Sequence, residues 1–367
     1  MNLQNISPIL LLPGELFSKI LLNVPNLKNI EYMSVNKNFF NTIQWLFKHY
    51  EKLYDSIDKN WKEKEEGIKN LLKTLFFSKN DNAIIFLYNN YINKNVIYYT
   101  SYYIGLFNYT ELLQNIGKIN VDALSYGAAE GGHLDLVEYA INRGAKNFIE
   151  ISYYAAQGGH LHIVEYAVNI KGANDFNGIA KYAAKGGHLH IVEYAVLKGA
   201  NNFNEIAMFA AYGGHLHIVE YAVNIKGAND FNGIARYAAY GGHLHIVKYE
   251  VSKGARNFNE IAVVAAKSGH LHIVKYAVNK GANDFNAIAK YAVKGGHLDI
   301  VKYAVNKGAN NFKEIINNAA LNGYFDIVNY IAKYAALKGY VDVMEYAISK
   351  GADDLNEIER WAIMNSK

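Results

Sequence analysis

The chain has 367 residues, 37 basic against 33 acidic, for a formal net charge of +4, and no cysteine. The length suits two or three ordinary domains, or one long repeat array under a cap. The weak, scattered charge excludes a nucleic-acid footprint, the missing cysteines exclude disulfides and thiolate metal sites, and no apolar run reaches the roughly 20 residues that cross a bilayer.

The first residues, MNLQNISPILLLPGELF, lack a basic leader, and Pro13 and Glu15 interrupt their apolar run, so no signal peptide is expected. Residues 12–40 read LPGELFSKILLNVPNLKNIEYMSVNKNFF. Pro13 suits a first helical turn. Leu16, Ile20 and Leu21 follow at helical spacing, Pro25 ends that helix, and Asn26 caps a second one carrying Leu27 and Ile30. A small helical cap accounts for the pattern. The stretch also resembles an F-box: Leu12 and Pro13, Glu15 and Leu16, Ile20 and Leu21, a second proline, then Ser34 to Lys37 before an aromatic. Phe39 or Phe40 stands where that family has a tryptophan-like position. The resemblance implies docking on a Skp1-type ubiquitin-ligase adaptor through Leu12, Pro13, Leu16, Ile20 and Leu21.

Residues 51–94 read as an irregular helical linker. WKEKEEGIKNLLKTLFF begins as a solvated charged face and turns apolar, and Asp81 caps the helix AIIFLYNNYI. Residues 95–119 then form a degenerate first repeat: Gly105 and Gly117 lie 27 residues before Gly132 and Gly144. Its aromatic surface suits a seal, and terminal repeats are expected to be atypical.

From there a Gly-His step recurs at His133, His160, His188, His215, His243, His270 and His297, with Tyr324 and Tyr340 as later equivalents. The 27- or 28-residue period predicts an all-α solenoid of stacked antiparallel helix pairs over 95–367. Ile179, Ala180, Ala183 and Ala184 mark the buried side of a first helix; Leu189, Ile191, Val192 and Ala195 mark a second. Two helix starts alternate. Asn caps come with a Glu three residues on (Asn147/Glu150, Asn202/Glu205, Asn257/Glu260, Asn311/Glu314), and Asp caps (Asp175, Asp230, Asp284) come with Gly or Ala. Each keeps one acid at the positive helix end. The two 28-residue copies carry their extra residue in Asn-Ile-Lys-Gly, so the array reads as duplication of a two-repeat unit.

The units resemble ankyrin repeats, through Ala-Ala-x-Gly-Gly-His-Leu-x-Ile-Val-x-Tyr followed by Lys-Gly-Ala, over roughly 120–361. The Thr-Pro-Leu-His start of that family is missing, and 27 residues fall about six short of its 33-residue period. The resemblance therefore implies helix pairs with the β-hairpin fingers missing or minimal. It is closest to the shortened repeats of giant DNA viruses, some of which begin with an F-box-like stretch. Residues 324–367 are irregular: only 16 residues separate Tyr324 from Tyr340, which predicts one long helix through 326–336 or a local irregularity there.

No catalytic motif accompanies the repeats. The His-x-His pairs point to opposite sides of a helix, so structural histidines are expected rather than a zinc site, with acid sensitivity as a consequence. Residues free of stacking duty are the candidates for partner contact. Met208, Phe209, Tyr212, Arg236 and Tyr240 form the expected central patch. The expected function is a non-enzymatic, intracellular adaptor, acting in a host cytoplasm, with protein partners and no cofactor, metal, nucleic acid or membrane. A plain scaffold, with residues 1–50 serving only as a cap, is the alternative.

Overall fold

The computed structural model describes residues 69, 72–73, 75–77, 79, 81–90 and 94–365. The F-box-like stretch, with Leu12, Pro13, Leu16, Ile20 and Leu21, lies outside the described residues. Among the described residues every element is a helix and none is a strand. The chain divides into two units, Met1–Asn174 and Asp175–Lys367.

In the first unit, α1 (Asp81–Asn90) leads to α2 (Lys94–Leu106) and a short 3-10 turn, Thr110–Gln114. The pairs α3 (Val121–Gly131) with α4 (Leu134–Asn142) and α5 (Phe148–Gly158) with α6 (Leu161–Glu165) follow. Helices α2 and α3 approach closely because each offers a glycine. A Cβ on Gly105 would stand 2.3 Å from the Leu124 carbonyl oxygen, and one on Gly127 1.9 Å from that of Tyr102. Aromatic rings gather beneath them: Phe76 lies 5.7 Å from Tyr103 and 6.1 Å from Phe107. Tyr102 donates to the Glu130 carboxylate, which also accepts from Gln157 at 3.1 Å.

The second unit stacks five such pairs and an irregular end. The first helices are α7 (Phe176–Gly186), α9 (Phe203–Gly213), α11 (Phe231–Gly241), α13 (Phe258–Lys267), α15 (Phe285–Gly295) and α17 (Phe312–Leu321). The second helices are α8 (Leu189–Leu197), α10 (Leu216–Glu220), α12 (Leu244–Lys253), α14 (Leu271–Asn279) and α16 (Leu298–Lys307). The Ile-Ala and Ala-Ala positions of the first helices and the Ile-Val pairs of the second are fully buried, as their spacing predicts.

Helix caps form as expected, with one exception. Asp175, Asp230 and Asp284 accept from the backbone N–H three residues on at 2.9–3.0 Å, and Asn147, Asn202 and Asn257 do so at 3.2–3.4 Å. The neutral Asn120 caps α3 at 2.9 Å as well. Asn311 makes no side-chain cap bond. The glutamates reach sideways as well: Lys181 pairs with Glu205 at 2.9 Å, Arg236 with Glu260 at 3.6 Å and Lys290 with Glu314 at 2.7 Å. Each Asp-capped copy thus holds the Glu of the Asn-capped copy that follows it, which gives the two-copy alternation a physical basis.

The extra residue of the long copies lengthens no loop. It is absorbed as a π turn, Tyr166–Ile170 after α6 and Tyr221–Ile225 after α10. The Ala173 N–H then reaches back six residues to the Ala167 carbonyl, where Ala200 in a short copy reaches back five to Ala195. The predicted fusion at the end is present: α18 (Phe325–Lys338) runs without a break and buries Ile327, Val328, Ile331, Ala332, Ala335 and Ala336. Helices α19 (Val341–Ser349) and α20 (Leu355–Asn365) complete the unit.

Where a hairpin finger is missing, an asparagine ladder ties the loops. Asn204 Oδ1 accepts from the backbone of Asn229 and Asp230 at 2.8 and 3.0 Å. Asn177, Asn232, Asn259, Asn286 and Asn329 repeat the arrangement on the next copy's loop.

Candidate interaction groove

The turns between first and second helix up to His297 are built by glycines and a histidine, and the later two read Asn-Gly-Tyr and Lys-Gly-Tyr at Tyr324 and Tyr340. At Gly241 a Cβ would stand 2.3 Å from the Tyr212 carbonyl oxygen of the preceding copy. Gly242 adopts φ +87, a left-handed helix cap that a side chain resists. His243 Nε2–H donates to that same Tyr212 carbonyl at 3.1 Å, and the ring of His270 lies over Gly242. His133, His160, His215, His270 and His297 make the equivalent bond at 3.0–3.3 Å. The expected structural ladder is therefore what these histidines form. Burial holds His160, His215, His243 and His270 below the ordinary histidine value, partly offset by the carbonyl each one meets. The His-x-His rings stand 6.0–6.1 Å apart and steeply inclined, and among the described residues no group of three or more His, Asp or Glu converges as metal ligands would.

Among the histidine steps one breaks the rule. Ser268 occupies the place of the first glycine, and α13 ends one residue early, at Lys267. Its Cβ stands where the equivalent atom on Gly213, Gly241 or Gly295 would meet a carbonyl at 2.3 Å, so α13 cannot close on α11 as its neighbours close on one another. An open groove of about 510 Å³ lies at this step, lined by Tyr212, Tyr240, Gly241, Lys267, Ser268 and His270. Ser268 Oγ is buried without a hydrogen-bond partner. The Tyr212 and Tyr240 rings stack at 5.4 Å and 22°, Lys185 lies 6.0 Å over Tyr212, and half of Tyr240 is exposed.

The five residues of the expected patch separate. Tyr212 and Tyr240 line the groove. Phe209 stands in a packing column between Tyr182 and Tyr237, at 6.4 and 6.1 Å. The Met208 methyl lies against Gly233, and Arg236 is engaged by Glu260 and by Tyr237. Lys267, Ser268 and His270 were missed as groove residues; the signal was the one Ser-Gly-His among the Gly-Gly-His steps.

A family model for ankyrin repeats (3 copies) matches residues 235–314 and again 262–356. Residues 235–356 match ankyrin repeats. No curated protein matches it. The ankyrin repeat is a general protein–protein interaction module, and all the groove residues except Tyr212 fall within the matched span. The first helices here present a stacked tyrosine pair and a lysine on their last turns, with no carboxylate lining the groove between them. No helix among the described residues is long and apolar enough to cross a membrane.

Proposed function

We propose that this protein is a non-enzymatic adaptor that captures another protein on the groove at Tyr212, Tyr240 and Lys267. The observation that carries this reading is the Ser268 break. Among the Gly-His steps the serine stands at one place, and there a groove displays aromatic and cationic side chains of the kind that dominate protein interfaces. The F-box-like stretch, through Leu12, Pro13, Leu16, Ile20 and Leu21, delivers the captured protein to a Skp1-type subunit of a host ubiquitin ligase, in the host cytoplasm. The ankyrin repeats support the capture half; resemblance to the F-box and to giant-virus proteins supports the delivery half.

A pull-down with a purified Skp1-type protein tests the delivery half. Wild type is expected to be retained and Leu12→Ala/Pro13→Ala to be lost. No retention of wild type leaves a plain ankyrin scaffold whose first fifty residues serve as a cap.

A further inference from the structure

The last position of each first helix, just before the step to the second, forms a row in the second unit: Lys185, Tyr212, Tyr240, Lys267 and Lys294, with Leu321 following on α17. The first-turn carboxylates of the same helices are engaged elsewhere, Glu205 by Lys181, Glu260 by Arg236 and Glu314 by Lys290. Those charges cancel in pairs. The last-turn row has no acid of its own. Lys267 is exposed at the groove and ion-pairs with no carboxylate among the described residues; Lys294 is exposed and lies 4.8 Å over Tyr291. At the middle of the row the two stacked rings offer an apolar surface between cations.

We propose that this row binds an extended acidic peptide segment of the captured protein, with carboxylates on Lys185, Lys267 and Lys294 and an apolar side chain on the Tyr212–Tyr240 stack. The proposal rests on the reading of the groove as a protein-capturing surface and adds the chemistry of what is captured. Spacing supports an extended chain. Packed helices stand about 8–10 Å apart, and an extended peptide advances roughly 3.3 Å per residue, so every third residue meets the next copy. About twelve residues then span the four steps from Lys185 to Lys294. An aromatic side chain in the peptide's middle stacks on the exposed Tyr240 ring. Three lysines also fit the carboxylate count of a short acidic segment better than the continuous phosphate charge of a nucleic acid, which calls for a longer basic track.

The test uses the full chain and three labelled probes in a fluorescence-anisotropy titration: a peptide of about twelve residues with glutamates toward both ends and phenylalanines at its centre, its counterpart with every Glu replaced by Gln, and an oligothymidine of similar length. The acidic peptide is expected to bind at least about tenfold tighter than the glutamine peptide at low salt, and to weaken as salt rises. Lys267→Glu/Lys294→Glu is expected to cost the acidic peptide about tenfold and the glutamine peptide nothing; Lys267→Met/Lys294→Met should show the same direction more weakly. Helicity by circular dichroism establishes that each variant is folded. If both peptides bind equally and Tyr212→Ala/Tyr240→Ala abolishes both, the acid preference is wrong while capture at the groove stands. If neither peptide binds, both readings fall. If oligothymidine binds more tightly than the acidic peptide, the row is a nucleic-acid surface and the proposal is overturned.

Discussion

Glu250 sits in a column that is otherwise alanine: Ala195, Ala222, Ala277 and Ala304 hold the equivalent place in their helices, all fully buried. Glu250 is fully buried too, and neither carboxylate oxygen has a hydrogen-bond partner. Burial pushes its pKa from 4.5 up to about 8, only partly opposed by Lys253. The folded chain therefore keeps a proton that the unfolded chain has lost between those values. Stability contributed at this site is present below 4.5 and falls as pH rises through the window up to about 8. Glu250→Ala is expected to raise stability near pH 7.5 by about 2–4 kcal/mol in urea unfolding, a large fraction of ordinary domain stability. The histidine ladder runs the other way. His160, His215, His243 and His270 have values lowered from 6.5, so their contribution is complete above 6.5 and is lost as pH falls. In wild type the two trends oppose each other. In Glu250→Ala only the histidines remain, and the melting temperature should be lower near pH 5.5 than near pH 7.5. An equal melting temperature at both would mean that the ladder does not resist protonation.

At the scale of elements, what the sequence made legible was whatever repeats along one helix. The buried Ile-Ala and Ala-Ala positions, the capping residues apart from Asn311, the absence of strands from the described residues and the fused helix α18 all follow from spacing within a copy. What it left hidden depends on the neighbouring copy. Asn232 reads as an ordinary polar residue in a first turn, yet its Oδ1 holds the backbone of Arg256 and Asn257 at 2.8 and 3.0 Å. Asn232→Ala is expected to cost about 1–2 kcal/mol, two modest hydrogen bonds, measured by urea denaturation; no change would deny the ladder a structural role. The π turns were equally hidden, because an inserted residue in Asn-Ile-Lys-Gly looks like a longer loop. Ile225 ends one such turn and is 70 % exposed. Its deletion should restore the short-copy geometry, so the variant is expected to keep its helicity and lie within roughly 1 kcal/mol of wild type. A variant that fails to fold would show that the π turn sets the spacing of the stack.

At the scale of the molecule, the constant letters of the repeat explain stacking and the variable ones supply the surface. The residue before the second-helix tyrosine is Glu138, Glu165, Glu193 and Glu220 in the earlier copies and Lys248, Lys275 and Lys302 in the later ones, and those lysines lie 5.5–5.9 Å over Tyr276, Tyr303 and Tyr330 of the following copies. Such contacts add stability between copies rather than a binding field. The interaction patch read from variability alone mixed packing residues, Met208 and Phe209, with surface ones, because a helix face cannot be assigned until its neighbour is in place. The proposed groove turns on the serine that replaces one glycine of the Gly-Gly-His steps, and its effect lies in the gap between a Cβ and a carbonyl of another copy. Ser268→Gly is therefore the decisive variant. It allows α13 to close on α11 as the other first helices close on one another, without touching Tyr212, Tyr240 or Lys267. Titration of the acidic peptide against this variant measures whether the opened step makes the site. Affinity should fall about tenfold, or ~1.4 kcal/mol, with helicity unchanged; wild-type affinity in Ser268→Gly would contradict the account.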